Sequence, residues 1–226
     1  MLFMNQKPRV DLTAVLDYDT DGALAETAAE AQRHSRRAFL RRSGIAAGGA
    51  VAAGAMVPGL TSGAMAATPK GDVAIANFAL TLEYLETAFY AAALKHAGLT
   101  GEHKRLARTV HAHEAAHVAA LKKMLGSAAV KKPSFDFGSA VQSQAAFTAT
   151  AITLEDTGVQ AYQGQAAFIK SQAVFKAALS IHPVEARHAA WIRQIAHQNP
   201  APAAFNPSLT KSQVLAAVQG TGFIKS

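Results

Sequence analysis

Two short runs of the chain carry the same pair of metal-seeking side chains at the same spacing: His111-x-x-Glu114-Ala115-x-His117 and His182-x-x-Glu185-Ala186-x-His188. Two further runs repeat as well. Thr81-Leu82-Glu83 is followed by Tyr90, and Thr153-Leu154-Glu155 is followed at the same distance by Tyr162. A glutamate and a histidine three apart lie on one helical face, so one helix can offer a carboxylate and an imidazole to the same cation. The chain has no cysteine, which removes disulfides, thiolate catalysis, iron–sulfur clusters and thiolate zinc sites. Imidazole and carboxylate are the ligands left.

Helices must position these groups. Half of the residues are hydrophobic and 16% are charged, enough apolar surface to offset the entropy of ordering. Sustained alternation of β-branched residues is missing. Apolar and alanine residues instead recur at helical spacing over 72–96, 101–125, 139–169 and 172–198. Gly98, Gly126 and Asn199-Pro200 supply stops, and Thr100 and Ser171 supply N-caps. The first and second helices are joined briefly, as are the third and fourth, so each pair folds back antiparallel. Residues 127–138 hold Pro133 and Gly138 and no helical pattern. A linker of that length reaches about 40 Å when extended, enough to run the length of a helix of about 37 Å.

That arrangement sets Glu83, Glu114, Glu155 and Glu185 in one layer. Each lies about 15 residues from its hairpin turn, at about 1.5 Å rise per residue. Their same-face neighbours, such as Ala76, Ala79, Val110, Leu121, Ala151, Ile181 and Ile192, are mostly apolar, so the carboxylates point inward. Four ionised carboxylates in an apolar layer repel one another and lack solvation. Two divalent cations cancel that charge.

One Glu from each of two helices plus Glu-x-x-His from each of the other two resembles the di-metal carboxylate site of the ferritin-like superfamily. The resemblance extends from about residue 72 to the C-terminus. It implies an all-α fold: a ferritin-like antiparallel four-helix bundle with a long crossover and a C-terminal strap carrying a short helix. It also implies two iron or manganese ions. By position, Glu83 and His117 hold one ion, Glu155 and His188 the other, and Glu114 and Glu185 bridge them. Tyr90 and Tyr162 stand behind the ligands, with packing alone as their plainer role. Glu86, His111 and His182 are candidates for extra ligands or supporting groups. Many family members place an acid before the Glu-x-x-His glutamate to orient the opposite histidine; His113 and Val184 stand there in this chain.

The implied chemistry is redox with dioxygen or hydrogen peroxide, oxidising Fe(II) or removing peroxide. A non-catalytic metal-binding stress or envelope protein is the alternative. A zinc metalloprotease is a further one, because His113-Glu114-x-x-His117 matches His-Glu-x-x-His, although it leaves the second Glu-x-x-His unexplained.

The N-terminal residues 1–66 read as an export signal with an extended polar leader. Ser35-Arg36-Arg37-Ala38-Phe39-Leu40 resembles the twin-arginine type; an Ala/Gly stretch, Pro58 and Ala64-Met65-Ala66 follow. The apolar stretch is shorter than the roughly 20 residues of a membrane span. Cleavage after Ala66 is expected, with no stable span afterwards and a periplasmic or otherwise exported product, an uncleaved anchor being the alternative. Within the superfamily, this leader and the Phe/Pro-containing tail most resemble exported bacterial proteins related to plant desiccation-related proteins. The bundle is expected over 67–199 and the tail over 200–226, with Thr210 to Gln213 opening a helix before Gly220 and Phe205, Leu215 and Phe223 packing on the bundle. Lys and Arg outnumber Asp and Glu by 22 to 15. The densest basic region, from Lys104 to Lys132, is expected to be a solvated face; no nucleic-acid partner is expected. Association into a homo-oligomer is compatible with the bundle.

Overall fold

The computed structural model describes residues 68–225, so the proposed leader lies outside the described residues. Four long helices dominate: α1 (Lys70–His96), α2 (Gly101–Leu125), α3 (Gln144–Ala166) and α4 (Gln172–Ile195). A shorter α5 (Lys211–Thr221) follows in the tail, and two tiny strands, β1 (Ser134–Phe135) and β2 (Ile224–Lys225), pair antiparallel. The fold is an all-α bundle, as expected.

Local chemistry sets the ends. Gly98, Gly126 and Gly222 adopt positive φ just past α1, α2 and α5, where a Cβ would be strained. Ser143 and Ser171 cap α3 and α4 by accepting from Ala146 N and Val174 N. The third and fourth helices end about three residues earlier than expected, at Ala166 and Ile195, and further details differ. The third helix starts at Gln144, because Gly138–Val141 forms a separate 3-10 turn and Ser143 takes the cap. Thr100 makes no side-chain cap; its hydroxyl donates to Gln144 instead. In the tail, the capping box of Thr210 and Gln213 is present, but α5 continues through Gly220 and ends at Gly222.

Hydrogen bonds at each end define the direction of the chain. Asn77 near the start of α1 holds the residues after α2: its Nδ2 donates to Ala128 O and its Oδ1 accepts from Val130 N, both at 2.8 Å. At the opposite end, the α1–α2 turn meets the start of α3 through Thr100 and Gln144. The crossover therefore runs the length of the bundle. The α3–α4 turn returns to the first end, where buried Asp72 accepts from Lys170 N and Ser171 N. Within the bundle α1 packs on α2 and α3 on α4, while α1–α3 and α2–α4 close it across.

The tail packs differently from expectation. Val214 and Val218, four apart on α5, enter the core. Leu215 is 36% exposed because one residue turns the helix by about 100°, and Phe205 is 88% exposed in the Pro-rich stretch. Phe223 does pack, with its ring 5.2 Å from Phe137. The tail crosses α3 where Leu209 N donates to Gln160 O; a Cβ on Gly164 would stand 1.9 Å from Leu209 O, so glycine permits the crossing. Among the described residues no helix is long and apolar enough to cross a membrane.

Candidate metal centre

The four long helices carry Glu83, Glu114, Glu155 and Glu185 into the middle of the bundle, and all four are buried. His117 and His188 enter beside them, one turn after Glu114 and Glu185. His117 Nδ1 lies 3.1 Å from Glu83 Oε2, 3.0 Å from Glu114 Oε2 and 3.1 Å from Glu185 Oε1. His188 Nδ1 lies 3.0 Å from Glu114 Oε1, 3.4 Å from Glu155 Oε2 and 3.3 Å from Glu185 Oε2. The structure therefore brings six of the sequence-predicted side chains together around two neighbouring points. Glu114 and Glu185 give one oxygen to each point; Glu83 and Glu155 each serve one.

An imidazole nitrogen carries at most one proton, which cannot satisfy three carboxylate oxygens. Accordingly, Glu114 Oε1, Glu155 Oε2 and Glu185 Oε1 are buried without a hydrogen-bond partner. Ligands about 2.1 Å from a shared ion stand about 3.0–3.4 Å apart in octahedral or tetrahedral geometry, the spacing found between each histidine nitrogen and its three carboxylate oxygens. The donor set fits two cations.

Electrostatics tells the same story. Burial, and then the neighbouring Glu185 and Glu83, push the Glu114 carboxyl well above the usual range. Burial also raises Glu155. For Glu185 burial opposes ionisation, but the adjoining His117 and His188 rings hold it at about 2. Burial alone would lower His188, yet its contacts with Glu114, Glu155 and Glu185 push it up to about 12; His117 is raised in the same way. Protons hold together a charge cluster that cations suit better.

The tyrosines cross between hairpins. Tyr162 on α3 donates to Glu83 Oε1 at 2.5 Å, and Tyr90 on α1 donates to Glu155 Oε1. Each hydroxyl occupies the carboxylate oxygen that faces away from the histidine. Burial raises both phenols, so they remain donors. His113 points away from Glu114, as its one-residue step requires, and reaches α4: its Nδ1 lies 2.8 Å from His188 Nε2. If His113 accepts from that Nε2–H, the Nδ1 lone pair of His188 faces the cluster. Val184 makes no equivalent contact to His117, which bonds only to the carboxylates among the described residues.

Glu86, His111 and His182 are outside the converging set. Glu86 is buried against Gly158, where a Cβ would stand 3.3 Å from its Oε1, and burial followed by Glu155 keeps it protonated well above the usual range. His182 lies in a surface cleft beside Tyr162, with a buried, unpartnered Nε2. Trp191 takes a structural place, under the Arg105 guanidinium at 5.1 Å. The protease arrangement needs His113 and His117 on one ion and Glu114 free to activate water. Instead Glu114 is buried between His117 and His188, and His113 backs His188. Asp72, the buried latch under the α3–α4 turn, went unassigned in the sequence; a lone acid in a first helical turn reads only as a dipole partner.

Among curated proteins, none matches this chain. A family model described as a ferritin-like domain matches residues 71–198, a span that takes in all four long helices and all six converging side chains. More than half of the chain is covered by that match, and the bundle and crossover agree with it: this chain belongs to the ferritin-like domain family.

Proposed function

We propose that this chain is a dinuclear metalloprotein holding two iron or manganese ions and acting as an oxidoreductase. Glu83 and His117 hold one ion, Glu155 and His188 the other, and Glu114 and Glu185 bridge them. The observation that supports this reading is the pair of histidine nitrogens, each faced by three carboxylate oxygens from three helices, with Glu114 and Glu185 shared between them. Bound there, the ions supply one-electron chemistry toward dioxygen or hydrogen peroxide, oxidising Fe(II) or removing peroxide.

The protein's part is positional. Tyr162 and Tyr90 take Oε1 of Glu83 and Glu155, leaving each Oε2 turned to its histidine. His113 orients the His188 ring, and apolar walls keep bulk water from the carboxylates. Export belongs to the reading: the twin-arginine type carries folded proteins, which suits a chain loaded with metal beforehand. We place it with the exported bacterial group related to desiccation-related proteins, on its leader and its Phe/Pro tail.

Anaerobic addition of Fe(II) to the metal-free protein, followed by dioxygen or peroxide, tests the function. Two equivalents bound and a rapid rise of oxo-bridged ferric absorption are expected. Uptake of two equivalents without turnover would leave a non-catalytic metal protein of the stress or envelope kind. No uptake would end the reading.

A further inference from the structure

One end of the bundle carries charged and apolar side chains that the metal centre does not use. The start of α1, the end of α2 and the α3–α4 turn meet there, tied by Asn77 to Ala128 and Val130 and by Asp72 to Lys170 and Ser171. Lys70, Lys122, Lys131, Lys132, Lys170 and Lys176 are exposed at this end, and none of them forms an ion pair among the described residues. Over 68–80, 118–133 and 160–180 the sole acid is Asp72, which is buried and turned to backbone N–H groups. Toward the other end, by contrast, Arg105 pairs with Glu102 and Arg193 with Asp156.

Apolar side chains face solvent among these lysines. Phe168, in the α3–α4 turn, is 66% exposed; Phe175 and Leu179, one turn apart on α4, are 41% and 59% exposed. Leu179 lies about 10 Å along the axis from the start of α4, so all three stand near the lysine-bearing end.

We propose that this end docks on a lipid bilayer carrying anionic headgroups. Charge and polarity together select the occupant. A soluble polyanion satisfies the lysines and leaves Phe168 in water. An apolar protein groove covers Phe168 and buries ammonium groups without counter-charge. A bilayer surface offers both: negative headgroups for the lysines, and hydrocarbon just beneath for Phe168, Phe175 and Leu179. Lysine stems are apolar and flexible, so the ammonium groups stay at headgroup level while the rings go deeper. Docking is independent of the metals, since Glu83 lies about 20 Å along α1 from Lys70.

The full chain is mixed with phosphatidylcholine vesicles, with and without phosphatidylglycerol, and co-sedimentation is measured. Binding is expected with the anionic lipid alone and should weaken as salt rises. Lys131→Ala combined with Lys132→Ala should weaken it about tenfold or more, and Phe168→Ala combined with Phe175→Ala by a similar factor, with helicity unchanged. Phe168→Trp supplies a local probe that insertion of the leader does not mimic. Its emission should shift to the blue and be quenched by brominated acyl chains, whereas Trp191 of the unaltered chain, beside Arg105 toward the other end, should not respond. Equal binding to uncharged vesicles, or a Phe168→Trp signal that vesicles leave unchanged, overturns the proposal. So does binding that follows the lysines and ignores Phe168 and Phe175, which assigns the patch to a soluble polyanion.

Discussion

The first hairpin, α1–α2, and the second, α3–α4, deliver matching donor groups to the same layer and enclose them differently. Each supplies a glutamate, a Glu-x-x-His pair and a tyrosine whose hydroxyl crosses to the other hairpin's glutamate. Beyond those groups the likeness ends. Tyr90 is wholly buried behind Phe89 and Phe147, while Tyr162, 8% exposed, borders two clefts. His188 leans on His113; among the described residues the His117 side chain has no such support, and it is 12% exposed. Cation geometry constrains the inner groups within tenths of an ångström, whereas the groups outside need only pack. The lesson is that two ions in this layer would be held alike and served unequally.

The comparison breaks most completely at the shared carboxylates. Glu114→Gln or Glu185→Gln should lose both ions, because each residue gives one oxygen to each point, whereas Glu83→Gln should lose only the ion beside His117. Metal analysis after desalting separates the two outcomes. In metal-free form, Glu114→Gln should be more stable than metal-free native protein by about 1–3 kcal/mol, since a carboxyl disfavoured by burial and like charge is gone, whereas Glu185→Gln should be less stable, because it removes the carboxylate that His117 and His188 hold ionised. Thermal melts of the desalted proteins read both signs.

Acidity probes both halves at once. His117 and His188 are held charged in the metal-free fold and must lose their protons to bind metal. Metal affinity should thus fall as pH falls, by up to about 2.7 kcal/mol per pH unit for the two protons together. Stability of the metal-free protein carries the opposite sign. A folded pKa raised from 6.5 to about 12, as for His188, contributes stability that is full below pH 6.5 and lost as pH rises toward 12. Thermal melts across that window, with and without metal, check the crossing trends. Parallel trends would contradict the assignment.

The smallest effect sharpens the comparison instead of breaking it. His113→Ala should weaken only the ion at His188, by about 10–100-fold, with recovery in His113→Asp, which restores an acceptor for Nε2–H. Val184→Asp should tighten the ion at His117 by a similar or smaller factor. Stepwise metal titration of the three variants reads both. Equal weakening of both ions by His113→Ala would show that the halves are not independent.

Much of this molecule follows from local rules. Helical spacing, glycine stops and serine caps locate four helices, and equal distances from two turns put four glutamates in one layer, because an α-helix rises by a constant step. The i, i+3 pairing of glutamate with histidine is likewise a property of one helix. A fixed angle per residue also explains why His113 turns away from Glu114.

Other features needed the assembled chain. The start of α3 depended on a 3-10 turn competing with helix, and the packing of Val214 in place of Leu215 on the docked phase of α5. The partner of each tyrosine lies on another helix, and so does the ring that His113 reaches. Above all, the repeat conceals its own asymmetry: Phe89 and Ala161, each one residue before its tyrosine, are both ordinary apolar residues in sequence. Only packing decides that one stands against Tyr90 and the other lines a cleft, because volume is shared among four helices and periodicity belongs to one.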